Sequence, residues 1–256
     1  MNQKRDFIAV FDSGVGGISV LRQLLKQMPG EKYLYFGDSA NAPYGSRPTS
    51  EVRELSLAAA KKLTTEYPVK ALVVACNTAT AAAIIQLRET YPDRIIVGIE
   101  PAVKVAAQRY PGGTVGVMAT PVTLREEKFA HLMHQFEDSC TIIKLPVPGL
   151  PELVEEGKGN SEEALGLLSP ILTPWMGKLD AVVLGCTHYP FASQAISRVL
   201  GAEIPLLDGG EGTAREAKRR LAQAGLLLEG QGEIRWESSL PGSEFALRCQ
   251  QLLTQD

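Results

Sequence analysis

Short apolar runs alternate with longer polar or amphipathic segments along the whole chain. Phe7–Phe11 reads as a first strand, and DSGVGG turns it sharply into the helical pattern ISVLRQLLKQM. Glu31–Gly37 reads as a second strand that runs into the polar loop GDSANAPYGSRP. An amphipathic helix follows over Ser50–Tyr67, then a buried strand, Ala71–Ala75, and a helix to about Tyr91. Arg94–Ile99 is another strand, and GIEPAV, Gly98–Val103, reads as a crossing into a second lobe. That lobe shows a strand at Thr114–Met118, a helix through Phe129–Phe136 and a strand at Cys140–Leu145. PVPGLPELVEEG leads to a helix capped by Ser161 that ends before Leu179, then to a strand from Ala181 and a helix to Leu200. Ile204–Ala214 reads as a return crossing, with a helix at Arg215–Ala224 and a strand–helix pair, Ile234–Gln255, rejoining the first lobe. Strands alternating with helices predict parallel α/β sheets, whose ligands bind at the carboxyl ends of the strands.

Two strand ends carry the same device. Ala71–Ala75 ends at Cys76, and Asn77 and Thr78 suit a helix N-cap because their side chains accept first-turn amides. Cys76 is therefore expected at a strand tip beside a helix N-terminus, a position that lowers a thiol pKa and binds anions. In AVVLGCTHYPF, Cys186 and Thr187 stand where LVVACNT has Cys76 and Asn77, 110 positions earlier. The starts of the halves correspond as well, since IAVFDSGVG from Ile8 resembles VGVMATPVT from Val115. The expected architecture is thus two pseudo-symmetric α/β domains with mostly parallel sheets and a cleft between them. The first domain is discontinuous, 1–99 plus 208–256, and the second spans 100–207.

Bulk properties narrow the class. A chain of 256 residues can hold two real cores. The net charge of −3, with no basic stripe, argues against nucleic acid. No stretch approaches the ~20 apolar residues of a membrane helix, and the apolar run after MNQKRD is broken by Asp12 before it reaches signal-peptide length. The expected compartment is the cytosol, so the four cysteines are expected as free thiols. Too few ligands stand at metal spacing for a zinc site. Cys140 and Cys249 have no polar motif around them and read as small hydrophobes. His131 and His134, three apart on a helix, read as surface or packing residues.

Two thiols facing one cleft suit racemisation, which removes a proton from one face of a carbon and returns one to the other. A thiol ionises near 8.5 and can be tuned to act as acid or base near neutrality. An α-proton is far less acidic than a thiol, so donors must stabilise the developing negative charge. Asn77, Thr78 and Thr187 are candidates for that task. Asp12 sits at a buried strand end, where a lone carboxylate is costly, and can hold an α-ammonium. His188 can tune Cys186. Tyr44 and Gly45, in a long loop after a strand, are candidates for the rim of a site. A hydrolase or transferase using Cys186 with His188 would leave Cys76 idle. A two-lobed binding protein would bind without α-proton exchange, and such proteins are commonly exported.

FDSGVGG, DSANAPYG, ACNTAT and LGCTHYP together resemble the glutamate racemases, through nearly the whole chain. The resemblance implies Cys76 and Cys186 as the two bases, Cys76 acting on D-glutamate and Cys186 on L-glutamate. It implies Asp12, His188 and Glu155 as their assistants, Glu155 near His188. It places Asp12, Ser13, Pro43, Tyr44, Gly45, Asn77, Thr78, Thr187 and His188 at substrate-binding positions. It implies no cofactor, neither metal nor pyridoxal phosphate, and a role in peptidoglycan synthesis. A homodimer is compatible with it. A racemase of aspartate or another amino acid is the nearest alternative, separated only by side-chain contacts. The chain departs from the family pattern at Val147, where a cysteine is frequent, at Asp208-Gly209, where Asp-Ser is usual, and at SSLPGSEF near its end. With the first strand region beginning after a few residues, no N-terminal regulatory extension is expected.

Overall fold

The computed structural model describes residues 7–240, without the Lys128 side chain, together with 242 and 244–255. Residues 1–6 of the charged start, and Pro241 and Ser243 of SSLPGSEF, lie outside the described residues. The first set of elements is β1 (Phe7–Asp12), α1 (Ile18–Gln27), β2 (Lys32–Gly37), α2 (Thr49–Glu66), β3 (Val69–Val74), α3 (Asn77–Thr90) and β4 (Ile95–Gly98). The second set is α4 (Val103–Arg109), β5 (Thr114–Ala119), α5 (Pro121–Arg125), α6 (Glu127–His134), β6 (Thr141–Pro146), α7 (Leu150–Glu155), α8 (Glu162–Leu172), β7 (Ala181–Leu184), α9 (Ser193–Leu200) and β8 (Leu206–Asp208). The chain closes with α10 (Gly210–Gln223), β9 (Glu233–Ser238) and α11 (Glu244–Thr254).

The strands form two parallel sheets, ordered β4-β3-β1-β2-β9 and β6-β5-β7-β8. Setting β1 against β5 and β3 against β7, the repeat seen in the sequence gives both sheets the same strand order, with β9 added at one edge of the first. Parallel strands covered on both faces need continuous apolar runs. VKALVV of β3 is buried at every position, Lys70 included. Lys70 is tolerated because Nζ meets Glu31 Oε2 at 2.5 Å and the Leu226 carbonyl at 2.8 Å. Glu31 Oε1 in turn accepts the Leu228 amide at 2.8 Å. A buried ion pair is tolerable only when its remaining groups are satisfied in this way. Here it fastens the segment between α10 and β9 to the first sheet.

Several boundaries differ from the sequence reading. The short helices α4, α5 and α7 were not foreseen, because five to seven residues carry too little periodicity to register. α5 is set by Thr120, whose Oγ1 accepts the Thr123 amide at 3.2 Å. The return crossing holds a strand, β8, and α10 begins at Gly210, five residues earlier than Arg215. The segment reads as a crossing, yet the helix starts within it, and Asp208 Oδ1, one residue before the Gly209 cap, accepts the Gly210 amide at 2.6 Å. Gly209 is required where the two crossings touch, since a Cβ there would overlap the Glu100 carbonyl. Ser161 caps α8 as expected, accepting the Ala164 amide at 3.3 Å.

Candidate active site

In each sheet the strand order reverses between the two central strands, β1/β3 and β5/β7, and ligands of such sheets sit at that switch point. Asp12 ends β1 and Cys76 lies two residues past β3. Thr120 follows β5 directly and Cys186 lies two residues past β7. The two thiols therefore occupy equivalent places in the two sheets.

Cys76 is itself the N-cap of α3, with Sγ accepting the Ala79 amide at 3.4 Å and donating to Ser13 Oγ at 3.7 Å. Asn77 and Thr78 are the first helical residues rather than the cap. The expected lowering of this thiol's pKa does not occur. Burial and the adjacent Asp12 carboxylate push it up to about 12, against the smaller help of the Ala79 amide and Ser13. The helix terminus is outweighed because its pull is worth a fraction of the desolvation of a buried thiolate.

Cys186 stands beside an ion pair. Its Sγ is 3.7 Å from His188 Nδ1. His188 Nε2 is 2.7 Å from Glu155 Oε1, at the end of α7, and the same oxygen accepts the Val15 amide at 2.8 Å. Burial works against the His188 charge, but its hydrogen bonds to Cys186 and Glu155 and their negative charge hold the imidazole well above its ordinary value. Burial likewise opposes ionisation of Glu155, and the His188 hydrogen bond and charge, the Val15 amide and Arg248 hold its carboxyl below the usual range. The glycine turn after β1 makes room for this pair. A Cβ on Gly14 would overlap the Glu155 carboxylate, and one on Gly16 would lie 2.5 Å from His188 Nδ1. That close approach, rather than turn geometry alone, explains DSGVGG.

Asp12 joins the halves. Oδ1 accepts the Gly14 amide and Oδ2 accepts the Thr187 hydroxyl, each at 3.0 Å. It is fully buried, and burial raises its pKa. Its charge acts on Cys76, and its partner Thr187 adjoins Cys186. Asn77 Oδ1 is buried without a hydrogen-bond partner among the described residues, a state that favours a ligand's donor.

Thr78 meets Thr120 and Thr123 at 3.5 and 3.1 Å, a hydroxyl cluster formed by both halves. Sequence reasoning missed the last two. The repeat held the signal, because the offset that pairs Ile8 with Val115 also pairs Ser13 with Thr120. In the loop after β2, Tyr44 is buried, with its hydroxyl on Asp38 Oδ2 at 2.6 Å and its ring edge toward Phe11. Pro43 and Gly45 line a cavity of about 150 Å³ with Thr120, Val147 and Glu152. The structure thus holds Cys76 with Ser13, Asp12 with Thr187, and Cys186 with His188 and Glu155, three hydrogen-bonded sets on adjoining segments, with Asn77 and Thr78 on α3 and Gly45 of the loop against Thr120. His131 and His134 are exposed, and Cys140 and Cys249 are buried apolar contacts, as read from the sequence.

The profile of the Asp/Glu/Hydantoin racemase family matches residues 10–217. A glutamate racemase of Clostridium kluyveri is 51% identical over 216 residues, 84% of this chain and 83% of that protein. The crystal structure of glutamate racemase isoform RacE1 from Bacillus anthracis superposes with a TM-score of 0.88 at 30% identity, covering 99% of this chain and 96% of that one. The glutamate racemase of Francisella tularensis, solved in complex with D-glutamate, superposes with a TM-score of 0.84 at 26% identity over 99% and 95% of the two chains. No helix among the described residues is long and apolar enough to cross a membrane. Two matched thiols at matched switch points, in a chain so close to these enzymes, place it in the Asp/Glu/Hydantoin racemase family, among the glutamate racemases.

Proposed function

We propose that the chain interconverts L- and D-glutamate by proton transfer between the substrate α-carbon and two sulfurs, Cys76 and Cys186. The carrying observation is the equivalent placement of these thiols at the switch points of two sheets, with the Asp12 charge acting on Cys76 and its partner Thr187 adjoining Cys186. In the L-to-D direction the Cys186 thiolate takes the α-proton, the C–H electron pair passes to the α-carbon, and the Cys76 thiol delivers its proton to the opposite face. The reverse direction exchanges the roles. After one turnover the thiols hold the opposite protonation states, and reverse turnover or exchange with water resets them.

The surrounding groups serve this exchange unequally. Asp12 receives the α-ammonium. Burial is the main reason Cys76 stays protonated and the Asp12 charge adds to it; the ammonium cancels that second part, so substrate binding eases formation of the Cys76 thiolate. On the other side His188, held cationic by Glu155, donates toward Cys186. Asn77, Thr78, Thr187 and the Ser13 hydroxyl supply donors for the substrate carboxylates, and Pro43, Tyr44 and Gly45 close the rim.

With this reading go a division into domains 1–99 plus 208–256 and 100–207, a cytoplasmic site of action, supply of D-glutamate for peptidoglycan, and a homodimer that light scattering tests. The Cys186–His188–Glu155 row also has the connectivity of a nucleophile–base–orienter triad. A hydrolase would form an acyl group on Cys186 and keep activity in Cys76→Ala. The experiment is therefore racemisation of L- and D-glutamate by Cys76→Ala and Cys186→Ala, with melting curves. Each variant should lose interconversion by ~10²-fold or more while melting near wild type. Full activity in either refutes the two-thiol route.

A further inference from the structure

We propose that Arg248, on the C-terminal helix α11, is a positioning residue for the Cys186 half of the reaction, holding the end of α7 so that Glu155 stays aligned on His188. The proposal rests on the racemase reading of the site and adds a residue remote from the reacting atoms.

Four observations carry it. Arg248 Nη2 donates to the Val154 carbonyl at 3.0 Å, one residue before Glu155. The guanidinium lies against Gly157, whose φ of +82° and lack of Cβ make the space, since a side chain there would overlap it. Its neighbour Cys249 is fully buried, so the helix places Arg248 firmly. Arg22 of α1 secures the far end of α11 by donating to the carbonyls of Leu252 and Gln255. The cation thus reaches from a helix packed on the first sheet to the last turn of α7, whose side chain pairs with His188.

The charges around Glu155 explain why a cation is useful there. Asp12 acts on it from β1, Tyr35 from β2, His188 from beyond β7, and Cys249 and Arg248 from α11, with Cys186 on the far side of the same imidazole contact. Asp12 and Glu155 are two carboxylates acting on one imidazole. Arg248 adds positive charge that favours the ionised Glu155 carboxylate, while its hydrogen bond goes to the Val154 carbonyl and the Glu155 hydrogen bond to His188 is left in place. Arg248 Nε is buried without a hydrogen-bond partner among the described residues, a cost to stability that a purely structural tether would avoid.

The test uses the full chain with Arg248→Gln, which keeps a donor for the Val154 carbonyl but removes the charge, and Arg248→Lys, which keeps the charge. Because the two enantiomers are equal in energy, kcat/KM must fall equally in both directions. Arg248→Gln should lower it about tenfold at neutral pH, and the acid limb of its pH profile should move up by about 1 unit. Arg248→Lys should leave the limb in place. Carboxyl-¹³C glutamate labelling of the ligand-free chain, with Glu155 assigned by its loss in Glu155→Gln, should show Glu155 titrating at higher pH in Arg248→Gln. Activity that falls evenly at every pH with the limb fixed, or a Glu155 titration that does not move, overturns the proposal. Should Arg248→Gln fail to fold, a limb displaced in Arg248→Lys overturns it equally. A wild-type chain without racemase activity would defeat the functional reading alone, since the Glu155 titration is read without substrate.

Discussion

Thr187 Oγ1 donates to Asp12 Oδ2 across 3.0 Å, tying the end of β1 in one sheet to the residue after Cys186 in the other. The bond helps explain how a fully buried carboxylate remains at a strand end. It also places one negative charge beside Cys76 and one residue from Cys186. The same carboxylate, proposed above as the receptor for the α-ammonium, adds to burial in keeping one thiol protonated.

Asp12→Asn should separate activity from stability. Burial raises the Asp12 pKa above 3.8, so the carboxyl favours folding below 3.8 and that contribution is lost as pH rises through the folded value. At pH 7 the asparagine, still accepting the Gly14 amide, should therefore melt no lower than wild type. Its kcat/KM for glutamate should fall by roughly 10²-fold or more, from loss of a charged partner. A variant that is both markedly less stable and nearly fully active would contradict the role given to Asp12.

The Cys76 thiol, pushed up to about 12, should alkylate slowly at neutrality. Its rate with iodoacetamide, followed by peptide mass spectrometry in the ligand-free chain, should rise about tenfold per pH unit between pH 8 and 10. In Asp12→Asn the same curve should lie at lower pH. A plateau below pH 9 in the wild type would show a thiol ionised by its helix terminus after all.

Glu155→Gln tests the ion pair. Glu155 is held below 4.5, so its contribution is present above 4.5 and lost as pH falls through the folded value. His188 is held above 6.5, so its contribution is present below 6.5 and lost as pH rises through the folded value. The pair therefore contributes most between those values. Urea denaturation should show the variant about 2 kcal/mol less stable at pH 6, with the gap shrinking in more acidic solution. An equal gap at all pH values would assign the loss to packing.

Much of this was legible in the chain itself. The LVVACNT and AVVLGCTH strands are apolar at nearly every position, which only strands covered on both faces require, and their repeat foretold matched sheet orders. Cys76, Cys186, Asp12, Asn77, Thr78, Thr187 and His188 are candidates from the residues themselves, whereas Ser13, Pro43 and Glu155 come only with the family resemblance. What escaped had physical reasons. Thr120 and Thr123 belong to ATPVT, where no acid, thiol or histidine draws notice, and they matter only because the fold brings them to Thr78. Arg248 acts from 94 positions away on a carbonyl, a relation no local pattern encodes. The Cys76 pKa depended on the balance of desolvation, Asp12 and a helix terminus, and only the buried geometry decides that balance. The start of α10 falls inside the segment read as a crossing, where Asp208 satisfies the Gly210 amide just outside the Gly209 cap.

The most direct measurement of the central claim is proton NMR of L-glutamate incubated with the wild-type chain in heavy water, stopped at low conversion. Two sulfurs on opposite faces predict that every D-glutamate formed carries deuterium at Cα while the remaining L-glutamate keeps its proton. D-glutamate that retains the original α-proton, or L-glutamate that exchanges faster than D-glutamate appears, would point to a single base and contradict the account.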